Sequence, residues 1–228
     1  MAPLVAFAWF MPYRRLTALL AEYNSLLGEI DSWFTACRTA APVGMLACRP
    51  GCSACCRGLF DISLLDAFLI RQGFCQLSEA VREVVLGRCR LRLAELQRRW
   101  PQLQPPFLLN SLPDDGWQEM PEEDETPCPL LAENGLCLVY PFRPMTCRLH
   151  GLPNIDRSGE DFSADLCTLH PGDPRRLPPE ILQAPFRKLF LREVQLLHRL
   201  TGQLTGLPTA EADTFIPLAL LVVDDDFR

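Results

Sequence analysis

Apolar residues recur at steps of three and four from Tyr13 onward: Leu16, Leu19, Leu20, Tyr23, Leu26, Leu27, Ile30, Trp33, Phe34 and Cys37. An α-helix presents that period on one face, so the stretch reads as a long amphipathic helix, ended by APVG at 41–44. A second helix is expected over LLDAFLIRQGF (64–74), where Ser63 and Asp66 have capping-box spacing with aspartate in place of glutamate. Ser78 is the expected cap of a third, running to about Trp100 with Val81, Val85, Cys89, Leu96 and Trp100 inward, and Pro101, Pro105 and Pro106 close it. Residues 101–126 are proline-rich and acidic and read as a loop. Helix returns over 180–201 with Pro185 near its first turn, and Thr209 is the expected cap of a last short helix, interrupted or kinked near Pro217. Strand alternation at regular spacing is absent. The expectation is a mainly α chain forming one domain: an N-terminal helix in 1–47, a cysteine-rich core in 48–148, and a proline-rich loop with C-terminal helices in 149–228.

Composition narrows the possibilities. A formal charge of −6 argues against sequence-independent nucleic-acid binding, which needs a basic face. Charge is unevenly spread, with REVVLGRCRLRLAELQRR at 82–99 and EMPEEDET at 119–126, and both stretches read as solvated surface. The opening MAPLVAFAWFMPYRR is apolar but carries its arginines after the apolar run and is too short to span a bilayer, as is FIPLALLVV near the other end. Both read as buried packing segments of a soluble, cytoplasmic protein.

The chain holds 11 cysteines, an odd number that excludes complete internal pairing. In a reducing compartment, clustered thiols point to metal ligation or redox chemistry before disulfides. Cys37 and Cys89 fall on apolar helix faces and Cys75 at a helix end, positions where cysteine packs as a small hydrophobe. The other eight lie in turn-rich stretches: Cys48, Cys52, Cys55 and Cys56 in CRPGCSACC, then Cys128, Cys137, Cys147 and Cys167. Residues 127–179 are also rich in proline, a composition that suits loops pinned by something other than an apolar core. Short C-x3-C and C-x2-C spacings let two thiolates reach one metal, and Gly51 permits the turn this needs. Side chains of the adjacent pair Cys55–Cys56 are expected to diverge, one serving a first metal and the other a second metal, another iron of one cluster, or the packing. Eight thiols could supply two four-sulfur sites or one large cluster. Arg143 and Arg148 flank Cys147, either offsetting anionic thiolate and donating to sulfur or pairing with the acidic loop. CRLH at 147–150 and CTLH at 167–170 add His150 and His170 as possible further ligands, while His198 in the late helix reads as a surface or packing residue.

The order CRPGCSACC, a helical spacer, then CPLLAENGLCLVYPFRPMTCR resembles the YkgJ-like cysteine-cluster family, described as zinc- or iron-chelating. Cys48, Cys52, Cys55 and Cys56 match its first cysteine group. Cys128 with Pro129 and Leu130, Cys137 with Tyr140, and Arg143, Pro144, Cys147 and Arg148 match its second. The likeness spans roughly 48–148, and Cys167 lies beyond it. It implies a metal or iron–sulfur protein of unassigned biochemical role.

Three functions compete. The first is a metal-binding protein without catalysis of its own, serving electron transfer, metal delivery or protein interaction; soft thiolates suit zinc and iron–sulfur clusters alike. The tight first group and the following Cys128–Pro129 favour a 4Fe–4S cluster, with zinc the alternative. The second is a cluster-dependent protein-modifying enzyme, by analogy with the flagellin lysine-N-methylases, which carry a similar cysteine group. Cys48, Cys52 and Cys55 also have the C-x3-C-x2-C spacing of radical S-adenosylmethionine enzymes, but Ala54 stands where those carry an aromatic, and the strand–helix repeat of their barrel is missing. The third is thiol–disulfide exchange through Cys52 and Cys55, without the strand–helix setting of a thioredoxin. Substrate, partner and pathway leave no mark in the sequence.

Overall fold

The computed structural model describes residues 13–49, 51–113, 117, 124–163 and 166–222. The chain is mainly α, with α1 (Tyr13–Ala40), α2 (Leu64–Phe74), α3 (Glu79–Arg99), α4 (Met145–Leu149), α5 (Pro179–Leu182), α6 (Phe186–Thr205) and α7 (Ile216–Ala219). The α1 stripe packs as its spacing requires: Leu19, Tyr23, Leu26, Leu27, Ile30 and Cys37 are all buried. It lies against α6, α5 and α4, and its Trp33 indole donates to the Leu182 carbonyl at 2.7 Å. Helix α2 is apolar on every side because it is central, and every residue from Leu64 to Arg71 is buried. One continuous apolar core runs from Leu16 to Val222 and draws on all the helical segments.

Four local expectations give way to tertiary structure. The helix expected over 180–201 breaks into α5 and α6, because proline disfavours helical geometry in the residue before it. Ala184 pairs instead with the 155–157 segment, donating to Ile155 O at 3.1 Å and accepting from Arg157 N at 3.1 Å. Thr209 caps no helix: its backbone N–H and C=O both bond the Thr201 hydroxyl, turning the chain after α6. Residues Asp213–Phe215 (β2) then pair antiparallel with Asp61–Ser63 (β1), with Ile62 opposite Thr214. Asn110 holds that strand by accepting from Asp213 N at 2.6 Å and donating to its carboxylate at 2.9 Å. Three residues per strand are too few to register as alternation. Pro217 sits in the first turn of α7, where its missing N–H costs nothing, so it kinks no helix. Residues 101–113 are no loose loop, for Leu103, Phe107, Leu108 and Leu109 are buried, as is Trp117.

FIPLALLV at 215–222 is packed inside as expected, with all but Leu221 buried. The apolar opening and the acidic stretch 118–123 lie outside the described residues. Among the described residues, no helix is long and apolar enough to cross a membrane.

Candidate metal centre

The loop from Arg49 to Cys56 is two consecutive turns, Cys52 N to Arg49 O and Cys56 N to Ser53 O, each 3.0 Å. This winding brings closely spaced thiols round on one another. The chain then leaves as a short ribbon. Gly58 N donates to Thr126 O at 2.8 Å, Arg57 bridges Pro127, and Cys128 N donates to Cys56 O at 2.9 Å. Residues 72 apart in sequence, Cys56 and Cys128, thereby share a ladder rung.

A tight hairpin follows, with Leu131 bridged to Cys137 and Leu138 N bonded to Leu130 O at 2.9 Å. Gly135 at its tip has φ 79°, and a Cβ there would come within 2.9 Å of the Gly51 carbonyl oxygen. Only glycine satisfies both the left-handed backbone and that approach. A 3₁₀ turn at Tyr140–Phe142 leads into α4, whose first N–H, that of Met145, donates to the buried Asp66 carboxylate at 3.0 Å. The free N–H of a helix start is thus held by an anion, which fixes the first turn of α4, where Cys147 sits two residues on.

The eight loop thiols all lie partly buried, and none of the chain's cysteines is in a disulfide. Cys48 is pushed up to about 11, by burial first and then by the neighbouring Cys167, Cys52 and Cys55. Burial likewise raises Cys128 to about 11, with Cys137 adding to it. Cys147 is raised by burial and by Cys128, Asp66, Cys137 and Cys55. Cys137 is raised by burial, against the pull of Arg143. Interaction between the adjacent Cys55 and Cys56 thiols raises Cys55 and lowers Cys56.

The arginines act on the loop more than on sulfur. Arg148 donates to the carbonyls of Arg143 at 2.9 Å and Pro141 at 2.7 Å and pairs with Asp31 on α1. Arg143 reaches the same Asp31 at 3.6 Å and stacks on the exposed Tyr140 ring at 3.7 Å. Both latch 140–148 onto α1, and Arg143 is close enough to favour thiolate at Cys55 and Cys137.

The two C-x-L-H pairs part company. Cys147 faces Cys128 and Cys137, while Cys167 lies beside Cys48 around Gly151. Both ring nitrogens of His170 are engaged with backbone, Nδ1 accepting from Ala47 N at 2.9 Å and Nε2 bonded to Gly151 O at 2.7 Å, so it serves as a strut between loops. His150 packs edge-on to Phe60, and His198 is exposed. Cys37 and Cys89 are core residues and Cys75 is exposed at the end of α2.

Asp66, read in the sequence as a capping residue, is the group that reasoning missed. Ser63 does accept from Asp66 N, at 3.5 Å, but the Asp66 carboxylate turns inward to Tyr23 and Met145. An acid inside the apolar run LLDAFLI was the available signal. A cleft of ≈ 530 Å³ also opens between α3 and the ribbon, lined by Leu59, Phe60, Arg88, Leu91 and Pro217 and reaching Cys128.

The thiols are soft, partly desolvated donors carried by the 48–56 turns, the 128–137 hairpin, α4 and the 167–170 turn, with guanidinium charge nearby. Among the described residues, no three His, Cys, Asp or Glu side chains form a group that could hold a metal ion. Comparison with protein-family models, with curated proteins and with solved structures finds no match.

Proposed function

We propose that the chain is a metal-binding protein whose eight loop cysteines hold an iron–sulfur cluster or zinc, and that it serves electron transfer, metal delivery or protein interaction in a reducing compartment. One observation carries this reading. Thiols from segments about a hundred residues apart are carried on turns and short elements tied together by backbone hydrogen bonds, while Cys37 and Cys89 are absorbed by the core and Cys75 is exposed. The residue order of the YkgJ-like family supports the same conclusion. Raised thiols stay protonated at neutral pH, so metal uptake would release protons and be favoured by alkaline pH.

Dithiol exchange through Cys52 and Cys55 is disfavoured, because Cys56 and burial raise Cys55. A cluster-dependent modifying enzyme draws support from the cleft ending at Cys128, which offers a place for a substrate beside the centre.

Anaerobic purification with metal and acid-labile sulfide analysis, alongside a visible spectrum, decides the metal. Iron with sulfide and a brown colour identify a cluster, and stoichiometric zinc in a colourless protein identifies a structural or binding site. Cys52→Ser and Cys147→Ser are each expected to lose metal and lower the melting temperature. Full occupancy and an unchanged Tm in both would overturn the reading.

A further inference from the structure

Helix α3 is thinly held by its own chain. Only Val85, Cys89 and Leu96 of its 21 residues are buried, and all three lie on one side. The opposite side carries Ala80, Val84, Gly87, Leu91 and Ala94, at steps of four, three, four and three. Those steps are the 3.5-residue period of a coiled-coil seam, with Val84 and Leu91 at its a positions and the other three at d. We infer that α3 pairs in parallel with α3 of a second copy of this chain, making a symmetric dimer through this seam. The inference stands apart from the thiols and goes beyond the metal-binding reading.

The seam is open within the chain. Val84 is 56% exposed and Leu91 71%, although both are large and apolar. Ala80 and Ala94 are exposed as well. A Cβ at Gly87 would meet nothing within 4 Å. Glycine inside a helix is costly, and no neighbour in the chain needs the room it leaves. A second helix would use that room, because glycine lets another backbone approach closely. Arg98, at the next a position, ends the seam.

Charge identifies the occupant as a second copy and sets its direction. In a parallel, in-register pair each g residue meets the e residue five positions later on the partner helix. On α3 those pairs are Glu83 with Arg88 and Arg90 with Glu95, opposite in sign both times and each made twice by symmetry. An antiparallel pair overlapping along the whole helix would centre on Cys89. It would set Arg88 against Arg88 of the second copy, and Arg90 against Arg90. All four flanking side chains are exposed. Their existing partners do not hold them back. Arg90 lies 3.9 Å from Glu83, and Arg92 meets Glu95 at 2.8 Å, surface pairs of small worth. Arg88 binds the Pro129 and Leu131 carbonyls through Nη1 alone.

Two large apolar side chains per helix make a modest seam, so the dimer is expected to be reversible and concentration-dependent. Sedimentation velocity of the full-length chain under reducing conditions, in a dilution series from about 100 µM, tests this. A monomer that becomes a dimer as concentration rises is expected, with Leu91→Glu monomeric throughout at unchanged far-UV circular dichroism. A second pair of variants reads the direction. Glu83→Arg with Arg90→Glu, and separately Arg88→Glu with Glu95→Arg, put like charges opposite each other in the parallel homodimer. Each is expected to dimerise at least about tenfold more weakly than wild type, and mixing the two is expected to restore the dimer. A wild type that stays monomeric at every concentration would overturn the inference. So would a dimer indifferent to Leu91→Glu, or charge-reversed variants that dimerise alone as well as wild type.

Discussion

Tyr23 on α1 donates its hydroxyl to Asp66 on α2 at 2.8 Å, and the same oxygen lies 3.4 Å from Glu193 on α6. Ser63 also donates to Glu193, at 3.4 Å, and Asp213 of β2 adds its negative charge. One phenol proton cannot satisfy two carboxylates, so both are held high. Burial raises Asp66 to about 6, and burial with the Asp66 charge raises Glu193 to about 8. An acid whose folded pKa exceeds its unfolded one favours the fold most below the unfolded value. Its contribution then fades as pH climbs, for Glu193 from its ordinary 4.5 to about 8. Glu193→Gln removes the ionisable group and keeps an oxygen acceptor. The variant is expected to melt several degrees above wild type at pH 8, with the gap closing towards pH 5. Thermal scans across that range check it, and a pH-independent difference would refute the role of the carboxyl. None of this was legible in the sequence, because the acids lie 127 residues apart and meet through a third side chain.

At the scale of elements, α2 is the platform on which the cysteine loop is seated. Its Gly73 faces the Phe142 ring so closely that a Cβ would lie 2.6–2.9 Å from three ring and Cβ atoms. Helix propensity alone favours alanine over glycine there by about 1 kcal/mol. The contact opposes that gain, since the near end of the Phe142 side chain has little room to give. Gly73→Ala is therefore expected to destabilise the chain by about 1–3 kcal/mol and to loosen the turn at Tyr140–Phe142. Urea unfolding measures the first, and faster alkylation of Cys137 and Cys147 measures the second. A more stable Gly73→Ala protein would show that propensity wins and that the seat is soft. Helices α1 and α3 were readable because each carries a periodic apolar stripe and a terminating residue, and α2 because Ser63 marks the start of an unbroken apolar run. Ser78 stands at the start of α3 as expected, though its side chain makes no capping bond. The break at Gln183–Pro185 and the pair β1–β2 were not readable, since each is decided by a partner segment far away in sequence.

Over the whole molecule, the helical core and the loop region rest on different forces. Apolar burial holds α1, α2 and α6 together, and surface pairs such as Arg199 with Glu22 at 2.5 Å add little beyond that. The described residues of segment 124–178 form short turns, isolated bridges and three brief helical turns, latched to α1 by Arg148 and Asp31. With metal bound, the proposed centre would add its binding energy to that segment in particular. Chelation is expected to speed proteolysis within 124–178 about tenfold while α1, α2 and α6 persist as a resistant fragment. Limited digestion read by mass spectrometry checks this; an unchanged rate and pattern would mean that the latches suffice without metal.

Taken alone, the sequence determined the class of fold, the burial of Cys37 and Cys89, and the concentration of eight thiols in turns. Those features are local: a helical period, a small apolar side chain on that period, and turn residues beside cysteines all act within a few positions of one another. Tertiary structure alone decided that Cys128 shares a rung with Cys56, that His170 braces two loops, and that Asp66 anchors α4. Each of those depends on where chain segments far apart in sequence meet, and packing around the apolar core sets that meeting point.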